Sequence, residues 1–140
     1  MEHTSPFVSR VLSDDDRDAV LEVIRRYVAT VNDRDREGNR ATMVCPHVRL
    51  ANDEVLVIPD RDGLDRISGF DRLASTGWHH TDLDWADVIQ ADERKAHVAL
   101  QFSRYDADGR HLVSFESLYV VVKRDGEWAI QARSSFAPMV

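Results

Sequence analysis

Apolar residues return every three or four positions between Val20 and Val31, and every second position in the later part of the chain, so the sequence divides into a helical beginning and a stranded remainder. Val20, Val23, Ile24, Tyr27, Val28 and Val31 form one stripe of a helix, while Glu22, Arg25, Arg26 and Arg34 lie off it. Ser13 offers a side-chain oxygen to the unpaired N–H groups of a first turn. Asp16 stands three residues on, and Asp14 and Asp15 suit the positive end of the helix dipole. The spacing predicts a helix over about 14–36, stopped by Gly38. Residues 1–12, with Pro6 and no sustained period, read as an N-terminal arm.

Beyond Gly38 a short turn or helix over Asn39–Val44 leads to Pro46, and Val48–Ala51 and Val55–Pro59 flank the polar turn Asn52-Asp53-Glu54 of a hairpin. Leu64, Ile67, Phe70 and Leu73 restore helical spacing, which predicts a second helix over Gly63–Ser75 despite Gly69. The period then changes to two. Strands are expected at about 79–91, 94–106, 111–124 and 127–136, separated by turns at Ala91-Asp92-Glu93, Asp106–Gly109 and Arg124-Asp125-Gly126. Helices followed by a meander predict an α+β domain over residues 13–137, one antiparallel sheet laying a face on the helices. In the strand at 111–124, alternation groups Glu116, Leu118, Val120 and Val122 against Ser117, Tyr119 and Val121. The first set is expected to face inward with Trp128 and Ile130.

The segment SLYVVVKRDGEWAIQARSSF, Ser117 to Phe136, resembles the closing hairpin of the nuclear transport factor two-like superfamily, and the element order over about residues 14–137 is similar as well. That resemblance implies a cystatin-like cone, in which N-terminal helices pack on a strongly curved antiparallel sheet and the concave face encloses a pocket. The superfamily includes ketosteroid isomerase, scytalone dehydratase and polyketide cyclases beside binding and dimerisation modules, so the scaffold alone does not select a chemistry.

Composition narrows the classes. The chain has 140 residues, a formal charge of −7 and a single cysteine, Cys45. A net acidic chain without a dense Lys/Arg run does not suit nucleic acid. The longest apolar run, Leu118 to Val122, is too short to span a membrane, and the start MEHTSPFVSR lacks the apolar core of a secretion signal, so a cytoplasmic location is expected. One cysteine excludes an intrachain disulfide and a Cys-rich zinc site. No Gly-rich phosphate loop, dinucleotide fingerprint or nucleophile elbow is found, and no cofactor is expected.

Within GWHHTDLDW, residues 77–85, a strand from position 79 sends His79 and His80 to opposite faces, so no metal site is expected there. His80 and Trp78 remain candidates for ligand contact, as does Trp128. The resemblance implies that Tyr27, on the apolar stripe of the first helix, matches the tyrosine by which ketosteroid isomerase donates a hydrogen bond to a developing oxyanion. A core tyrosine satisfied by a backbone carbonyl or water is the other reading. His47, after Pro46, falls near the region where several of these enzymes hold a general base. Glu116, inward by analogy, is either an acid/base group or half of an ion pair with Arg104 or Arg133. The epoxide hydrolases of the superfamily need an Asp-Arg-Asp group with no clear equivalent on the strand faces expected to point inward. The expected function is binding of a small hydrophobic or amphipathic molecule, in one reading with cofactor-independent lyase, isomerase or cyclase-like chemistry through Tyr27, His47 and Glu116. In the other, the chain is a non-catalytic ligand-binding or dimerisation module. A homodimer is expected through an outer sheet face carrying groups such as Tyr119 and Val121.

Overall fold

Ser13 caps the first helix as its position suggests: its Oγ accepts a hydrogen bond from the Asp16 amide at 3.0 Å, and α1 runs over Asp14–Asn32. The computed structural model describes residues 12–64 and 70–137, so the arm expected over 1–12 lies, apart from Leu12, outside the described residues. The helix ends earlier than its spacing predicts. Arg34 adopts φ 54°, a left-handed turn that no helix continues through, and Asp35 then caps a separate α2 over Arg36–Ala41 by accepting from Gly38 N at 2.9 Å.

The strands follow as β1 (Met43–Ala51) and β2 (Glu54–Ile58), then β3 (His80–Ala91), β4 (Lys95–Tyr105), β5 (His111–Arg124) and β6 (Glu127–Ser135). The first begins five residues before the expected Val48, because Met43 already pairs with Ile130 across the sheet. Between β2 and β3 lie α3 (Arg61–Leu64) and α4 (Phe70–Ala74). These cover the two ends of the helix expected over 63–75, and residues 65–69 lie outside the described residues.

All six strands form one curved sheet in the order β2-β1-β6-β5-β4-β3, antiparallel except where β1 lies parallel to β6. Asp125 (φ 53°) and Gly126 (φ 79°) supply the two left-handed residues of the β5–β6 turn, which suits the twist of a two-residue hairpin. Helix α1 lies across the inner face, where Val20, Val23 and Ile24 meet Val98, Val121 and Ile130, all without solvent exposure. One end of the helix is tied down by Asp16, whose carboxylate accepts from the Trp128 indole N–H at 3.0 Å and from Lys123 Nζ at 3.2 Å. At the other end Asn32 and the Thr81 backbone exchange two hydrogen bonds, of 2.8 and 2.7 Å.

The face assignment of β5 is corrected by the register. Val121 lies opposite Ile130 and Lys123 opposite Trp128, so the inward set is Ser117, Tyr119 and Val121. Glu116, Leu118 and Val120 belong to the outer face, and Glu116 is exposed. Leu118, Val120 and Val122 on one face and Tyr119 and Val121 on the other are all large and apolar, and alternation states which residues share a face without stating which face is inside. Truncating Ile130 to Ala is expected to cost about 2–5 kcal/mol of unfolding free energy, the usual loss for a fully buried branched side chain. Glu116→Ala is expected to stay within about 0.5 kcal/mol. Urea titration of the two variants checks both the phase and the size.

Candidate functional site

The pocket side chains of β6 owe their direction to one irregularity. In the β5–β6 ladder Val121 pairs with Ile130 but Val120 with Ala132, so Gln131 is an extra residue on β6. Without that bulge, the alternation that buries Trp128 and Ile130 would bury Ala132 and send Arg133 outward. With it, Arg133 turns inside and retains only 7% of its exposure. Arg49, its register partner on β1, comes in beside it on the His47, Arg49, Ala51 face and is 9% exposed. Arg104, half-buried on β4, adds a third guanidinium, stacked 5.4 and 5.2 Å from the ring centres of Phe102 and Phe115.

These three arginines line a cavity of about 90 Å³ between α1 and the sheet. A water needs roughly 10–15 Å³ of such space, so the volume suits a small organic molecule or several waters. The helical wall is apolar, made by Ile24, Val28 and Val31, and Leu73 and Phe70 of α4 continue it. Polar groups enter from Tyr27, Tyr119, Thr81 and Ser135. Among the described residues no aspartate or glutamate lines the cavity.

Arg133 is the best-anchored group. Its Nε donates to His47 Nε2 at 3.0 Å, its Nη1 donates to the Tyr27 hydroxyl oxygen, and its guanidinium stands 5.2 Å from the Tyr27 ring centre. Nη2 is buried with no hydrogen-bond partner. Because His47 Nε2 accepts, the ring proton sits on Nδ1 and donates to the Ile130 carbonyl at 3.2 Å. Burial, reinforced by the Arg133 charge, pushes the His47 pKa down to about 3. Burial likewise lowers the pKa of Arg49, with Arg133 adding to it, and lowers that of Arg104. Burial and the neighbouring Tyr27 raise the Tyr119 hydroxyl well above the ordinary tyrosine range. The site is therefore a cluster of donors whose positive charges no side chain among the described residues balances.

A curved α+β sheet closed on one face by a helix, with a cavity between them, invites comparison with known proteins. Residues 15–135 match the family described as NTF2-like protein (DUF6841). The chain belongs to that family. Among solved structures it is similar to a protein of unknown function with a cystatin-like fold from Nostoc punctiforme, at TM-score 0.76 and 16% identity over 94% of this chain and 100% of the other. An NTF2-like protein with a cystatin-like fold from Novosphingobium aromaticivorans aligns at TM-score 0.72 and 15% identity, covering 86% and 80% of the two chains. An NTF2-like protein of unknown function from Pseudomonas putida aligns at TM-score 0.72 and 15% identity, covering 91% and 89%. At these identities the likeness carries the fold. No curated protein matches.

Against this NTF2-like frame the residues named from sequence separate clearly. Tyr27 lines the cavity. His47 adjoins it from behind: the ring has no exposed area and both nitrogens are engaged, so it holds Arg133 in place instead of offering a free base. Glu116 is on the opposite face of the sheet, so the inward carboxylate expected there is absent, and neither Arg104 nor Arg133 pairs with it. Trp78 is buried outside the lining but donates to Thr81 Oγ1 at 2.8 Å, and so positions a residue that does line it. Trp128 serves the Asp16 tie away from the lining. His80 stacks on Tyr105 with ring centres 5.1 Å apart, outside the cavity. Its relation to His79 also differs from expectation: His79 precedes the strand, and the two Nδ1 atoms approach to 3.0 Å instead of pointing apart. The residues that sequence reasoning passed over as pocket groups are Arg49, Arg104, Arg133 and Tyr119. Arg49 carried a signal, an arginine in phase with inward His47 and Ala51, whereas Arg133 is hidden by the bulge.

The His47 geometry has a pH signature. Its folded pKa is depressed, so as pH falls below about 6.5 the unfolded chain takes up the proton first and the folded state loses stability, until pH approaches 3. Within that window the expected loss is about 1.4 kcal/mol per pH unit, with no contribution above it. Denaturation at pH 7 and pH 5 is expected to show a steeper decline for the natural chain than for His47→Gln. In imidazole NMR, His47 is expected to remain the neutral Nδ1–H tautomer at both values.

Proposed function

We propose that this NTF2-like chain binds a small, largely apolar molecule in the cone between α1 and the sheet, as a ligand-binding module. The observation that carries it is the cavity itself: apolar on the helix side, with donors converging from the sheet. Binding is favoured over acid/base chemistry because, among the described residues, the lining holds no carboxylate and no imidazole to act as a general base on a ligand. A cofactor-independent isomerase or lyase reading rests on Tyr27 alone, whose hydroxyl accepts from Arg133 and keeps its own proton to donate, with no base among the described lining residues to complete the chemistry. A cytoplasmic setting fits this reading; among the described residues no helix is long and apolar enough to cross a membrane.

The test is NMR mapping with a panel of small aromatic and aliphatic molecules on the natural chain and on Val28→Trp, which places an indole against the cavity. Shifts clustered at Tyr27, Leu100 and Phe102 in the natural chain, lost in a folded Val28→Trp, are expected. Absence of any clustered response across the panel would overturn the reading.

A homodimer remains part of the proposal, on a different set of residues. Tyr119 and Val121 face inward, and the outer row instead runs Val55, Leu50, Ser134, Leu118 and Ala99 across five strands in register. Val55 is 65% exposed and Val57 beside it 59%, and with Leu50 and Leu118 they leave a mostly apolar surface, interrupted by Ser134, of the kind a second copy covers. Light scattering at tens of micromolar is expected to give twice the chain mass, and Leu118→Lys with Val57→Lys to return a folded monomer. A monomeric natural chain would remove this proposal.

A further inference from the structure

Resting on the reading of the cone as a binding pocket, we propose that its ligand is a small organic carboxylate, its anionic head set among Arg49, Arg104 and Arg133 and its apolar body against the α1 stripe. Three guanidiniums converge on one cavity, and Arg49 and Arg133 are direct register partners on neighbouring strands. Three cations elsewhere meet carboxylates: Arg25 pairs with Glu22 at 3.6 Å, Arg110 with Asp106 at 3.7 Å and Lys123 with Asp16 at 3.2 Å. Among the described residues none of the three pocket arginines is in an ion pair and none that lines the cavity is acidic. The net charge of the chain is −7, so carboxylates are plentiful, yet none lines this cavity among the described residues.

The unmet hydrogen-bonding capacity has a direction. Arg133 is more than nine-tenths buried, two of its three nitrogens are fixed by His47 and Tyr27, and Nη2 has no acceptor. A buried guanidinium N–H without an acceptor is costly, and a carboxylate oxygen is the acceptor its planar fork fits best. Arg49 feels the same imbalance, since burial and the nearby Arg133 both work against its charge. An anion between them relieves both effects at once. The helical wall determines the rest of the molecule: an inorganic anion would leave Ile24, Val28, Val31 and Leu73 facing water, whereas an apolar body attached to the carboxylate covers them. The hydroxyls of Tyr119 and Thr81 remain to read polar substituents on that body.

Calorimetric titration of the full chain with matched pairs tests this: phenylacetate against phenylacetamide, and 2-naphthoate against 2-naphthamide, with inorganic phosphate alone as a further arm. Each acid is expected to bind roughly tenfold or more tightly than its amide at neutral pH, as charge-assisted hydrogen bonds imply. That preference is expected to fall to near unity in Arg133→Gln and in Arg104→Gln; Arg104 is only half-buried, so its replacement keeps the test open if the Arg133 variant does not fold. Equal binding of acid and amide would overturn the carboxylate while leaving the cavity reading standing. Phosphate binding as tightly as the acids, or a preference undiminished in either folded variant, would overturn it as well. No binding by any acid or amide, with no shift at Leu100 or Phe102, would remove both this inference and the proposed function beneath it.

Discussion

Holding a guanidinium inside a protein requires partners arranged before any ligand arrives, and the burial of Arg133 organises much of this molecule. Its two fixed nitrogens reach Tyr27 on α1 and His47 on β1, so one side chain on β6 ties in two elements that lie 106 and 86 positions upstream. His47 can accept only because it is neutral, and it is neutral because burial and the adjacent cation both oppose its protonation. Its other nitrogen returns to the Ile130 carbonyl, three residues before Arg133 on the same strand. The arrangement closes on itself: the strand that presents the cation also orients the imidazole that steadies it.

The sheet then has two unlike faces with two unlike uses. The inner face carries donors and a cavity, whereas the outer face carries Leu50, Leu118, Val55 and Val57 with few charges in the same rows. Because side chains alternate, each strand contributes to both, so a substitution that shifts register by one residue would exchange cavity groups for outer-face groups along its whole length. The bulge at Gln131 does this in a controlled way, on one strand and over its last few residues only. NTF2-like scaffolds accommodate different sites on one architecture, and in this chain a single extra residue turns Arg133 into the site.

Much of the architecture could be read from residue patterns because local chemistry and tertiary structure agree. Ser13 caps α1, Asp125-Gly126 makes the last turn, and the β3–β6 boundaries lie within a residue or so of those the turn residues suggest. The site was much less legible, for reasons that are physical. Ser117 to Val122 is apolar enough on both faces that alternation cannot choose the inner one, which sent Glu116 to the wrong side. A bulge leaves little mark in sequence, so the inward turn of Arg133 could not be counted out by twos. The break after Asn32 depends on Arg34 adopting a left-handed conformation that arginine does not advertise. Tyr27 was recoverable because it lies on a helix whose period is uninterrupted.

The place of β6 in the sheet carries a consequence for how the chain is made. It follows every other strand in sequence yet sits between β1 and β5, in the interior of the sheet. Until it emerges during synthesis, the β1–β2 hairpin and the β3–β5 meander have no strand in common, and each presents an unpaired edge to the surrounding solution. Helix α1 waits as well, since Trp128, which anchors its first turn, lies 112 positions downstream of Asp16. Assembly is thus held back until the ribosome has nearly finished with this domain, and it is in that interval, before the keystone strand arrives, that the chain most depends on protection from its neighbours.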